Sequence, residues 1–132
     1  MKRLKTLMLV DDDEIIVYLT KRIIAQTNLV ELINVFGNGK DAIDYLKENL
    51  NNPDLFPEII FLDLFMPIMD GWEFLEEYIQ IKPKTSSPTT IYVITSSVSE
   101  EDIIKAKSYS VVTDYIIKPT TKENFIAILE KK

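Results

Sequence analysis

Four consecutive apolar residues, Ile59-Ile60-Phe61-Leu62, run without a polar break into a carboxylate, Asp63. A strand wetted on one face would alternate apolar and polar residues, so this run predicts a strand of a parallel sheet with helices covering both faces. Beyond it, Met66-Pro67 and Asp70-Gly71 supply turn chemistry before the helical pattern of Trp72-Glu73-Phe74-Leu75 begins. Asp63 is therefore expected at the carboxyl end of a central strand, the edge where open α/β sheets build their sites.

The same unit recurs along the chain. Residues 6–10 form a second apolar run that ends in Asp11-Asp12-Asp13, followed by Ile15, Ile16, Leu19, Ile23 and Ile24 at helical spacing, with Asp13 as the expected helix cap. Residues 29–36 read as a strand closed by Gly37-Asn38-Gly39. Ala42, Ile43, Tyr45 and Leu46 mark a helix that gives way to a polar loop, Asn49-Leu50-Asn51-Asn52-Pro53. The helix from Trp72 runs to about Ile81, with Trp72, Phe74 and Tyr78 as helix packing or surface residues and Glu76-Glu77 as a solvated face. A fourth strand, residues 90–94, ends in Thr95-Ser96-Ser97, and Ser99 with Asp102 predicts a capping box for the next helix. The last strand, Tyr115-Ile116-Ile117, ends in Lys118-Pro119, and Thr120 with Glu123 predicts a second capping box. Five strand-helix units with short crossovers imply an α/β fold, a doubly wound five-stranded parallel sheet with helices on both faces.

Collecting what ends each strand brings a carboxylate cluster (Asp11, Asp12 and Asp63), a hydroxyl (Thr95) and an ammonium (Lys118) to one edge of that sheet. Two carboxylates about 4 Å apart repel by roughly 4 kcal/mol at an effective dielectric near 20, so the cluster requires a proton or a counter-ion. Hard oxygen donors select Mg²⁺, which keeps open positions for water and phosphate oxygens. Composition narrows the chemistry further. The chain has no cysteine and no histidine, which excludes thiol chemistry, thiolate or imidazole metal sites and Ser-His-Asp catalysis. Gly37-Asn38-Gly39-Lys40 matches neither the dinucleotide fingerprint nor the P-loop, so no nucleotide cradle is evident. A phosphoryl group carried by the protein itself, with Asp63 as the nucleophile, is the simpler reading.

A formal charge of −6 disfavours binding to nucleic acid or to anionic membrane surfaces. With neither a secretory leader nor an apolar run near the roughly 18 residues of a membrane span, a cytoplasmic location is the expectation. The 132 residues suit one domain with no attached output domain.

The residues VDDDE (10–14), LDLFMPIMDG (62–71), VITSS (93–97) and DYIIKP (114–119) resemble the receiver domain of two-component response regulators, in order and spacing across essentially the whole chain. The resemblance implies a flavodoxin-like fold with strand order 2-1-3-4-5. It implies that Asp63 accepts phosphate from a sensor histidine kinase or a phosphotransfer protein. Asp11, Asp12, Asp63 and the backbone carbonyl of Phe65 would hold Mg²⁺, and Thr95 and Lys118 would bind the phosphoryl oxygens. Thr95 and Tyr115 would form the switch, with Tyr115 rotating from exposed to buried, and Lys118-Pro119 would be a cis peptide. The chain would act as a monomer or weak dimer, as a stand-alone regulator. The surface of its fourth helix, fifth strand and fifth helix would bind a separate downstream protein.

The chain departs from the family pattern at Phe65, which is large and apolar, in residues 108–113, which replace a Gly-Ala turn, and in a short last helix. The competing class is a Mg²⁺-dependent phosphohydrolase of the haloacid-dehalogenase type, which also forms an aspartyl-phosphate. That class needs a second Asp two residues after the nucleophile as general acid/base, and Phe65 cannot serve.

Overall fold

The computed structural model describes residues 3–131. Five strands alternate with five helices: β1 (Leu4–Val10), α1 (Glu14–Thr27), β2 (Val30–Phe36), α2 (Gly39–Glu48), β3 (Ile59–Leu62), α3 (Gly71–Ile81), β4 (Thr90–Thr95), α4 (Glu100–Ser108), β5 (Val112–Ile117) and α5 (Lys122–Lys131). The strands form one parallel sheet in the order β2-β1-β3-β4-β5, as the resemblance implied.

All four residues of β3 are buried, and their alternation explains why none is polar. Ile59 and Phe61 point into a core with Ile24 of α1 and Phe125, Ile128 and Leu129 of α5. Ile60 and Leu62 point the other way, into a core with Ala42, Ile43 and Leu46 of α2 and Phe74, Leu75 and Tyr78 of α3. Register then fixes the functional edge. Val10 pairs with Phe36 and Leu62, Leu62 with Val93, and Thr95 with Ile117, so the strands end nearly level.

Several local expectations are corrected. Asp13 caps α1 as expected, accepting the Ile15 and Ile16 amides at 3.0 and 3.1 Å. Asp70 and Glu73, which the sequence suggested only as a turn and a helical residue, form a complete capping box on α3. The box expected at α4 is half formed. Ser99 accepts the Asp102 amide, but the Asp102 carboxylate takes the hydroxyl of Ser97 at 2.6 Å instead of reaching back to Ser99. At α5, which starts at Lys122, the capping hydroxyl is Thr121, bonded to the Asn124 amide at 3.1 Å, rather than Thr120. Strand β5 begins at Val112, earlier than its apolar triplet suggested, because Val112 pairs with Ile91. The loop after α2 is anchored rather than free: Phe56 is buried, and the Asn52 carbonyl accepts the Leu55 and Phe56 amides. Among the described residues, no helix is long and apolar enough to cross a membrane.

Candidate functional site

Hydrogen bonds that extend the ladder one residue past each strand place the site. The Asp11 amide bonds to Phe36 O (3.0 Å), the Asp63 amide to Val10 O (2.9 Å) and the Lys118 amide to Thr95 O (2.9 Å). The backbone of each group is thereby held as firmly as the sheet beneath it. Gly71 packs against the same point: its amide bonds to Leu64 O at 2.9 Å, and a Cβ there would lie 2.5 Å from Asp63 O, so only glycine lets α3 start this close to the acid.

The edge gathers the residues singled out from the sequence. Carboxylate oxygens of Asp11, Asp12 and Asp63 lie within 4.8 Å of one another, with Asp11 and Asp63 buried and Asp12 exposed. The Lys118 ammonium meets two of them, Asp11 Oδ2 at 2.6 Å and Asp63 Oδ2 at 3.3 Å. Both remaining oxygens are also engaged: Asp11 Oδ1 accepts the Asp13 amide (2.9 Å) and Asp63 Oδ1 accepts the Leu64 amide (2.8 Å). The counter-ion that the acidic cluster demanded is thus in part the chain's own lysine.

Electrostatics follow from this packing. Burial raises the pKa of Asp63, Lys118 pulls it back, Asp11 raises it again, and hydrogen bonding from Thr95 and Lys118 lowers it, with a net rise. For Lys118, burial works against the charge, but the Asp11 hydrogen bond and the charges of Asp63 and Asp11 outweigh it, and the pKa is raised. Thr95 is fully buried at the end of β4. The Lys118–Pro119 peptide is cis.

Tyr115 differs from its expected exposed position. It is half-buried, and its hydroxyl already donates to the Ser97 carbonyl at 2.9 Å, because its ring packs on a small cluster of Leu64, Val93 and Ala106. Phe65 is 52% exposed. Asp102, through its bond to the Ser97 hydroxyl, joins the surroundings of the site, and only a Ser-x-x-x-x-Asp spacing read in three dimensions could have found it. The donor set is all oxygen and predominantly anionic, which suits a hard divalent cation and no softer metal. A cleft of about 400 Å³ between α1 and α5, walled by Ile16, Ile23, Phe61 and Phe125, opens onto Asp63 and Lys118.

Comparison with known proteins agrees with this fold. Residues 7–130 match the response regulator receiver domain family. The chain is 29% identical over 125 residues to the probable methanogenesis regulatory protein FilR2 of Methanothrix harundinacea, covering 95% of this chain and 79% of that protein. It spans about half the length of three other curated relatives, with coverages of 50%, 52% and 46%. Among solved structures, it superposes on a two component response regulator from Cytophaga hutchinsonii with a TM-score of 0.83 and 30% identity, covering 98% of this chain and 97% of that one. It also superposes on the Mn(2+)-bound form of response regulator Rcp1 with a TM-score of 0.72 and 27% identity, covering 96% and 90% of the two chains.

Proposed function

This chain belongs to the response regulator receiver domain family, and on that premise we propose that it is a phosphorylation-controlled binding module whose phosphoacceptor is Asp63. The observation that carries this reading is the convergence of Asp63, Asp11, Asp12, Thr95 and Lys118 at one sheet edge, with the acids within 4.8 Å of one another. One carboxylate oxygen of Asp63 attacks phosphorus as the bond to the donor group breaks, and the donor nitrogen of a phosphohistidine keeps the electron pair and takes up a proton. Asp11, Asp12, Asp63 and the Phe65 carbonyl would hold Mg²⁺. Bound there, the ion supplies positive charge to the phosphoryl oxygens in transfer.

The chain's own groups complete the site. Lys118 exchanges its bond to Asp63 for a phosphoryl oxygen, and Thr95 donates to another. Two distances support this exchange. The Lys118 bond to Asp63 is the longer of its two, at 3.3 Å, while Asp11 retains the ammonium at 2.6 Å. The phosphodonor is a histidine kinase or a phosphotransfer protein, and the output is binding of a separate protein at the surface of α4, β5 and α5. Tyr115 reports the change through Ser97: when Thr95 is drawn toward the phosphoryl group, the Ser97 amide, 3.5 Å from the Thr95 hydroxyl, loses its partner and the Tyr115 bond to Ser97 is repositioned.

Beryllofluoride with Mg²⁺ mimics the phosphorylated acid and tests the reading by NMR. The expected result is shifts at Thr95, Ser97, Tyr115 and Lys118. Unmoved signals at Thr95 and Tyr115, with beryllofluoride bound, would remove the proposed coupling.

A further inference from the structure

Helix α4 buries one side chain, Ala106. A helix of 9 residues with so little apolar burial gains little from the hydrophobic effect, so ties at its edges add to its packing beside β5. Those ties are visible, and they lead to α3. The ring of Trp72, in the first turn of α3, lies under the ammonium of Lys105, which is 4.3 Å from the ring centroid. It also stacks on Tyr109, the C-cap of α4, at 6.4 Å between centroids and 26° between planes. The Tyr109 hydroxyl then crosses to α3 and donates to Glu76 Oε2 at 2.6 Å. Glu76, expected from sequence to be no more than part of a solvated face, is an anchor.

We propose that Trp72 and Glu76 form a latch that fixes α4 to α3, making them the positioning residues for that helix. Trp72 packs on the cluster of Leu64, Val93 and Ala106 that Tyr115 also covers, so the latched arrangement is the one in which Tyr115 meets Ser97. Leu64 directly follows Asp63, so the cluster on which Trp72 packs begins one residue from the acid, and the latch above it ends on Tyr109 at the far end of α4. A short bond from a hydroxyl to a carboxylate is stronger than one between neutral groups. The Tyr109 phenol is pushed up to about 12, first by its bond to Glu76, then by burial and the Glu76 charge. It keeps its proton, and the latch its donor, at all ordinary pH values. The latch is a property of the unphosphorylated chain, and it holds or fails independently of the chemistry proposed for Asp63.

Amide hydrogen exchange by mass spectrometry on the whole chain, without phosphodonor, tests this. Tyr109→Phe retains an aromatic ring at this position and removes the bond, Glu76→Ala removes its acceptor, and the double variant removes both partners of one contact. Either single variant should speed exchange in residues 100–108 by about fivefold and leave α1 unchanged, and the double variant should do no more than either alone. The fluorescence of Trp72, the single tryptophan, should become more accessible to acrylamide in the same variants. Unchanged exchange in α4, an equal rise in α1 and α4, or additive effects in the double variant would each overturn the latch, the second because it would mark a general loss of stability.

Discussion

The Lys118 ammonium lies 2.6 Å from Asp11 Oδ2 in a contact whose side chains are 16% and 3% exposed, so the two residues form a buried ion pair 107 positions apart in sequence. Removing one partner of such a pair leaves an uncompensated charge, at a cost of about 3 kcal/mol. Lys118→Met should destabilise the domain by about that amount in metal-free buffer, and added Mg²⁺ should restore part of the loss by replacing the missing positive charge. Urea unfolding with and without Mg²⁺ measures both. Equal stability of variant and native protein without metal would mean that the pair is not formed in solution.

Asp63 carries a raised pKa, so the folded state holds its proton more tightly than the unfolded chain does. Between the ordinary carboxylate value of 3.8 and the raised value, the native state binds more protons, and stability from this group falls as pH rises through that window. Above it, the ionised Asp63 remains a cost. Asp63→Asn should therefore be at least as stable as the native protein at neutral pH, with its advantage shrinking on acidification toward 3.8. Lys118 follows the same sign in an alkaline window: its raised pKa means that its stabilisation is complete below 10.5 and is lost as pH climbs through the higher folded value. Thermal unfolding across pH checks both windows.

Ile68, in the loop between β3 and α3, has φ of 68° and is 79% exposed. A β-branched residue is strained in the left-handed region, at a cost of about 1–3 kcal/mol, and so exposed a side chain returns little of this in packing. Ile68→Asn, which tolerates that conformation, should stabilise the domain by about 1 kcal/mol. A lower melting temperature for the variant would show that Ile68 packs in solution.

Hydrolysis of an aspartyl-phosphate needs a water placed in line behind phosphorus, and the side chains of Phe65 and Ser97 are positioned by sequence to border that approach. The Ser97 hydroxyl is already committed to Asp102 at 2.6 Å, and Phe65 offers no acid or base. Phe65→Asn should shorten the phosphorylated lifetime severalfold, equivalent to about 1 kcal/mol in barrier. Equal decay of the two proteins after removal of the donor would place the ring away from the water's path, as its 52% exposure allows.

The strands and the residues at the sheet's edge were legible because they rest on strong, local signals, and the strand order was legible through the family resemblance. Ile59-Ile60-Phe61-Leu62 is buried on both faces, and Asp11, Asp63, Thr95 and Lys118 sit one position from the ends of apolar runs. The side-chain network was not legible. Asp102 looks like a capping residue from its spacing to Ser99, yet its carboxylate goes to Ser97, and only the turn of the β4–α4 connection decides between them. Glu76 and Tyr109 are 33 positions apart, and nothing in either local sequence pairs them. Ile68 gave no sign of its backbone, because the residue type that flags a left-handed position is glycine or asparagine. Lys118 was expected to wait for phosphate, and the sequence could not show that it neutralises Asp11 in the meantime.

The most direct test is intact mass after incubation with Mg²⁺ and acetyl phosphate or phosphoramidate, run on the native chain and on Asp63→Asn. The account predicts a single added phosphoryl group on the native chain, lost on chelation of Mg²⁺, and none on the Asn variant. Labelling of Asp63→Asn to the same extent as the native chain would contradict it.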